Sequence, residues 1–247
     1  MAQFYSPTTQ TLFDDILWLP QAGAKAGPTG RPPNSYAILL QGSSILIDAV
    51  YSWTLDGIRK IADAGMPPSA FVLTHVDVAE QGDAFEEIRS QYGCPILLHP
   101  ADHGPRAAKA GVAFMDPRED RAIVDARFDV IEMPFHTPGS IMLHTNRNRG
   151  VVFAGDSAVA PGPKQDPEPP RLARPKVDEA LEEDFKEQWM VLKSQRLMSS
   201  ILPLHGTPYV DRPDLRDIAM SLREGPPMDP SEEASGDYGS QASGVAA

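Results

Sequence analysis

Four short apolar runs in this chain lead into an imidazole or a carboxylate and then turn. His75 follows Phe71-Val72-Leu73-Thr74, and Asp156 follows Val151-Val152-Phe153-Ala154-Gly155. His205 follows Ile201-Leu202-Pro203-Leu204 and precedes Gly206, while His136 precedes the turn Thr137-Pro138-Gly139-Ser140. Apolar runs this short, bounded by turn residues, read as strands. Rigid strands hold the loop residues at their ends in fixed positions, and ligands of α/β folds collect there. Imidazole and carboxylate are both ligands for zinc or iron. Two readings of the pattern stay open at this point: separate loop residues that are hydrogen-bonded where they stand, or ligands that converge on one site.

The remaining periodicity fits an α/β architecture. Residues 1–15 read as polar and irregular, 16–19 as a first strand, and 20–33 as a loop. Strands at 36–40 and 45–47 flank the turn Gln41-Gly42-Ser43. A helix is expected over 54–64, with Thr54 as its cap, Leu55, Ile58 and Ile61 on one face, and Gly65 at its end. A strand at 70–73, a helix at about 80–92 and a strand at 96–98 follow, so the first half alternates strand and helix. The second half begins with strands near 128–133, 141–144 and 151–154. Proline at 161, 163, 167, 169, 170 and 175 marks 160–176 as a stiff surface loop. A helix over about 177–198 carries the stripe Val177, Leu181, Phe185, Trp189 and Leu192. A strand at 201–204 and a helix at 213–223, beginning near Pro213, complete the pattern. Residues 1–225 read as one domain and 226–247 as a disordered acidic tail.

Charge and cysteine content narrow the function. The formal net charge of −12 argues against binding to nucleic acid or to an anionic membrane, both of which need a basic face. A small-molecule substrate or ligand is the expected partner. Cys94 is the only cysteine, so an internal disulfide and a cysteine-based zinc cluster are both excluded. It lies in the apolar run Cys94-Pro95-Ile96-Leu97-Leu98 and reads as a small buried residue. No run approaches the roughly 18 apolar residues of a membrane span. No basic region followed by an apolar run opens the sequence, so the expected location is cytoplasmic.

The order of these segments resembles the metallo-β-lactamase superfamily over about residues 15–210. Asn34-Ser35-Tyr36 and Leu46-Ile47-Asp48 look like its opening hairpin. Phe71-Val72-Leu73-Thr74-His75 is similar to the strand that leads into its main metal motif. Phe135-His136-Thr137-Pro138-Gly139-Ser140, Phe153-Ala154-Gly155-Asp156 and Leu202-Pro203-Leu204-His205-Gly206 resemble its later ligand segments. The fold this implies is α/β, a four-layer αβ/βα sandwich. The departure lies in the main motif. The family pattern is His-x-His-x-Asp-His, and this chain reads His75-Val76-Asp77-Val78-Ala79-Glu80.

The resemblance implies a first metal held by His75, Asp77 and His136, with Asp156 as a fourth ligand. The second family position keeps only Glu80, Asp156 and His205, because Ala79 stands where the family has an aspartate. Asp48 is expected to brace the metal loop by hydrogen bonds. His99, His103 and His144 are expected to have other roles. Three functions remain open. The first is a metal-dependent hydrolase using one zinc ion, or two, to activate water, with Asp77 and Glu80 as the candidate catalytic side chains. The second is a mononuclear-iron oxygenase resembling the persulfide dioxygenases, whose ligand positions correspond to His75, His136 and Asp156. The third is a non-catalytic binding protein that keeps the fold.

Overall fold

The computed structural model describes residues 8–21, 32–160, 172–175 and 177–224. The tail expected over 226–247, and the proline-rich stretch apart from residues 160 and 172–175, lie outside the described residues.

Two sheets are built in chain order. The first contains β1 (Gln10–Phe13), β2 (Ile16–Trp18), β3 (Tyr36–Leu40), β4 (Ser43–Ile47), β5 (Pro68–Val72) and β6 (Ile96–Leu97), side by side in that sequence. The first four form an antiparallel meander, and β4, β5 and β6 run parallel. Parallel neighbours need crossovers. Here these are α1 (Leu55–Asp63), and then α2 (Val76–Gln81) with α3 (Phe85–Tyr92). The short helices α4 (Pro105–Ala108) and α5 (Arg121–Asp125) lead to the second sheet. That sheet contains β7 (Asp129–Glu132), β8 (Ile141–Thr145), β9 (Val151–Gly155) and β10 (Ser200–Pro203), in the order β10-β9-β8-β7. The helix α6 (Glu182–Gln195) returns the chain so that β10 lies parallel to β9, and α7 (Leu215–Glu224) packs beside α6.

Side-chain alternation along the strands separates three cores. Leu46 on β4 and Phe71 on β5 face the first helical layer, where they meet Ile58, Phe85 and Ile88. Their neighbours Ile45, Ile47, Ala70 and Val72 face the other way and meet Ile141, Leu143, Val151, Phe153 and Leu202 of the second sheet. The opposite faces of those strands present Met142, Val152, Ala154 and Ile201 to Phe185, Trp189 and Leu192 of α6 and to Ile218 and Leu222 of α7. Helix, sheet, sheet and helix are therefore stacked in four layers, as the sequence implied. Among the described residues no helix is long and apolar enough to cross a membrane.

The structure corrects several element boundaries. Residues 10–13 form a strand and are not irregular: β1 pairs with β2 through a bulge at Thr11/Phe13. The helix expected over 80–92 is two helices, and the first starts at Val76, directly after His75. Between them the amides of Asp83 and Ala84 donate to the Val50 carbonyl, which draws the backbone out of helical geometry. Thr54 stands at the N-cap of α1, as expected, but its side chain makes no capping bond. Its hydroxyl donates to the Tyr51 carbonyl at 2.7 Å, within a preceding 3-10 turn. The regular helix in the 177–198 segment spans Glu182–Gln195, and the last helix starts at Leu215.

Candidate metal centre

Four strands deliver the side chains, all from their C-terminal ends. His75 follows β5, His136 follows β7, Asp156 follows β9 and His205 follows β10, while Asp77 lies in the first turn of α2. His75 is 1% exposed and His205 8% exposed, so these imidazoles are withdrawn from solvent. Asp156 Oδ2 lies 3.4 Å from His75 Nε2, 3.8 Å from His136 Nε2 and 3.7 Å from His205 Nε2. Asp77 Oδ2 lies 3.3 Å from His136 Nε2. The His75 and His136 rings meet edge to face, with centroids 4.8 Å apart.

These separations suit a cation. Ligand atoms at zinc distances on a tetrahedron stand about 3.3–3.4 Å from one another. One donor atom from each of His75, Asp77 and His136 falls within 4.8 Å of the others. His75 Nε2 and Asp156 Oδ1 are buried and make no hydrogen bond, although buried polar atoms normally have partners. The donor set of imidazole nitrogen and carboxylate oxygen suits zinc, iron or manganese.

The electrostatics match a site that holds positive charge. Burial would raise the Asp156 carboxyl, but the charges of His205, His75 and His136 outweigh it and hold it well below the usual carboxylate range. Burial acts the same way on Asp77 and is again outweighed, here by the hydrogen bond from His136, the charge of His75 and the Arg106 guanidinium. The Asp77 carboxyl is lowered to about 2. For His75 burial favours the neutral ring, yet Asp156, Asp77 and Asp48 together raise its affinity for a proton. Carboxylates that stabilise a charged imidazole also stabilise a metal cation in its place.

A buried relay orients His75. Asp48 accepts the Thr74 amide at 2.8 Å and the Thr74 hydroxyl at 2.9 Å. A hydroxyl has one proton to donate. With Asp48 ionised and the ring neutral, His75 Nδ1, 3.1 Å from the same oxygen, is therefore the donor in its contact with Thr74, and Nε2 presents its lone pair to the cluster. Asp48 is itself fixed in the left-handed region, at φ 51°, and its carbonyl accepts from Ser35 Oγ at 2.7 Å. Burial pushes its carboxyl up to about 7, against the opposing effects of His75 and Thr74. Close packing completes the relay: at Gly155, with φ +53°, a Cβ would stand 2.6 Å from Thr74 Oγ1.

The other sequence candidates lie in different surroundings. Glu80 is bound by two cations, Arg106 at 2.7 Å and Lys109, and Arg106 reaches Asp77 as well. Ala79 is buried in the core. His144 is fully buried between Asp129 and the Leu197 carbonyl. His103 contacts the Leu98 carbonyl, and His99 accepts the Ala101 amide. Burial pushes the Cys94 thiol up to about 11, so it is a neutral side chain near pH 7. Asp48 thus braces the loop through Thr74, as expected. Nothing in the local sequence marks Asp102 or Arg106 as belonging to this region, since each acts through partners far along the chain, as with the Arg106–Asp77 bond, which spans 29 residues.

Comparison with known proteins places the architecture. No family model matches the chain. Over 127 residues it is 30% identical to uncharacterized proteins of Mycobacterium tuberculosis and Mycobacterium bovis, a match covering 40% of this chain and 56% of theirs. The chain thus spans little more than half the length of the curated relatives it matches. Among solved structures it is similar to the DIM-1 metallo-β-lactamase, with a TM-score of 0.64 at 15% identity over 90% of this chain and 99% of that one. It is also similar to the metallo-β-lactamase FIM-1 from Pseudomonas aeruginosa in its mono-zinc form, with a TM-score of 0.61 at 18% identity over 89% and 95%. A metallo-β-lactamase family protein from Thermus thermophilus gives a TM-score of 0.56 at 16% identity, over 87% and 80%.

Proposed function

For a chain with the metallo-β-lactamase fold, we propose a metal-dependent hydrolase that works with a single ion at His75, Asp77, His136 and Asp156. The observation that carries this reading is the convergence of three imidazole nitrogens on Asp156 Oδ2 within 3.4–3.8 Å, with His75 Nε2 buried and lacking a hydrogen bond. A divalent cation bound there would lower the pKa of a bound water toward about 7 and polarise a scissile carbonyl or phosphoryl group.

The chain's own groups do the rest. The Asp48–Thr74 relay keeps the proton of His75 on Nδ1, so that Nε2 stays a ligand atom. Asp77 is the more exposed of the two cluster carboxylates and is ionised down to about pH 2. So weak a base suits orienting a water by accepting its hydrogen bond. Glu80, neutralised by Arg106 and Lys109, takes no part in this chemistry, and that favours one ion over two. Zinc is the expected metal, and a small ester, thioester, lactam or phosphoester the expected substrate.

A second reading draws on the contacts of Asp156 with both His75 and His136. Two histidines and one carboxylate with open positions also suit iron(II) and oxygen chemistry. Metal analysis by mass spectrometry separates the two. The expected result is about one zinc per chain, lost in His136→Ala, with hydrolysis that stops on chelation and returns with metal. Tightly held iron with oxygen uptake on a thiol or persulfide would favour the oxygenase. A chain that takes up no metal on reconstitution would sink both and leave a binding protein.

A further inference from the structure

Asp102 ends the 3-10 turn Pro100–Asp102 beyond β6, and its side chain is nearly sealed from solvent at 6% exposure. A buried carboxylate is costly unless its oxygens are satisfied. Here all three of its donors come from the two segments that carry cluster residues. Oδ2 accepts the Val76 amide at 2.8 Å and the Thr137 hydroxyl at 2.7 Å, and Oδ1 accepts the Gly139 amide at 2.8 Å. Val76 lies between His75 and Asp77, and Thr137 directly follows His136. The second segment is held further by Ser140 Oγ, which accepts the Thr137 amide at 2.9 Å. The approach is so close that a Cβ at Gly139 would stand 2.6 Å from Asp102 Cγ.

We propose that Asp102 is a positioning residue, which fixes the distance between the His75–Asp77 turn and the His136 loop and so preorganises the cluster. It touches none of the cluster residues by hydrogen bond and acts only through Val76, Thr137 and Gly139. Its three bonds span 26, 35 and 37 residues and join the segment after β5 to the segment after β7, one from each sheet. The sheets are tied independently by the Ile141 amide on the Thr74 carbonyl at 2.9 Å, so the fold does not depend on Asp102 alone. The consequence for metal binding rests on the proposed function, whereas the positioning is measurable without metal.

The test uses the full chain with Asp102→Asn, which keeps the shape but turns an NH2 toward a donor. Asp120→Asn serves as control. Asp120 is a buried carboxylate that caps α5 through the Ala122 amide, in no contact with the cluster. In metal-free protein the ring nitrogen signals of His75 and His136 should move in Asp102→Asn, with those of His144 unmoved. The Val76 and Gly139 amides should also lose hydrogen-exchange protection. Zinc affinity, measured by competition with a chromogenic chelator, should fall about 10–100-fold, and Asp120→Asn should leave it unchanged. Unmoved ring signals overturn the proposal. So does unchanged zinc affinity when the wild type binds zinc, or an equal loss in Asp120→Asn. A wild type that binds no zinc sinks the zinc reading instead, and the ring signals then decide the positioning alone.

Discussion

Thr74 links a buried carboxylate to a buried imidazole with one hydroxyl proton. Removing the hydroxyl at constant shape leaves His75 Nδ1 without its acceptor and frees the ring to choose the other tautomer. Thr74→Val is therefore expected to weaken zinc binding about 10–100-fold in chelator competition, while Thr74→Ser stays near wild type. Equal affinities for Val and Ser would remove the relay from the site's function. At this scale the histidines and Asp156 were legible because each lies at the end of an apolar run, where local pattern and ligand chemistry coincide. Asp102 and Arg106 were not, because a hydrogen bond across tens of residues leaves no trace in the neighbouring sequence, whereas the bonds of Thr74 to Asp48 are the brace expected of Asp48. Glu80 was read from its place in a motif, and motif position says nothing about the two cations that come to it from α4 and the residue after it.

The strands were more legible than the helices. Runs such as Ile45-Leu46-Ile47 and Val151-Val152-Phe153 are buried on both faces, so continuous apolarity identifies them. The helix α2 was hidden for the opposite reason: its six residues open with Val-Asp-Val, an apolar–polar alternation that suits a strand. α4 and α5, at four and five residues, are shorter than the window over which helical periodicity can be counted. Of the expected five-residue stripe, Val177 and Leu181 precede α6 and only the last three members lie on it. Phe185, Trp189 and Leu192 are sealed in the third core, while Leu181 is 39% exposed. Phe185→Ala should therefore cost about 3–5 kcal/mol in urea unfolding, and Leu181→Ala no more than about 0.5 kcal/mol. Similar losses at the two positions would mean that the turn before α6 packs as tightly as the helix itself.

Across the whole molecule the cluster lies where the two sheets meet, with His75 and Asp77 from the first half of the chain and His136, Asp156 and His205 from the second. An ion held there stabilises the folded chain by mass action. At free zinc near 100 times its Kd the gain is about 2.7 kcal/mol, read as a raised Tm in one transition. His136→Ala should show no such rise. A metal-dependent rise confined to part of a split transition would mean that the halves unfold separately.

The parallel pairing of β10 with β9 has a consequence for how the protein is made. Domains emerge from the ribosome N-terminal end first. The trio of His75, Asp77 and His136 is complete once residue 136 is out, but the second sheet lacks its edge strand until residue 203 follows. His205, which faces Asp156, arrives two residues later still. Through that interval β9 would stand with one edge unpaired, and Asp156 would lack the imidazole of His205 that faces it in the finished fold.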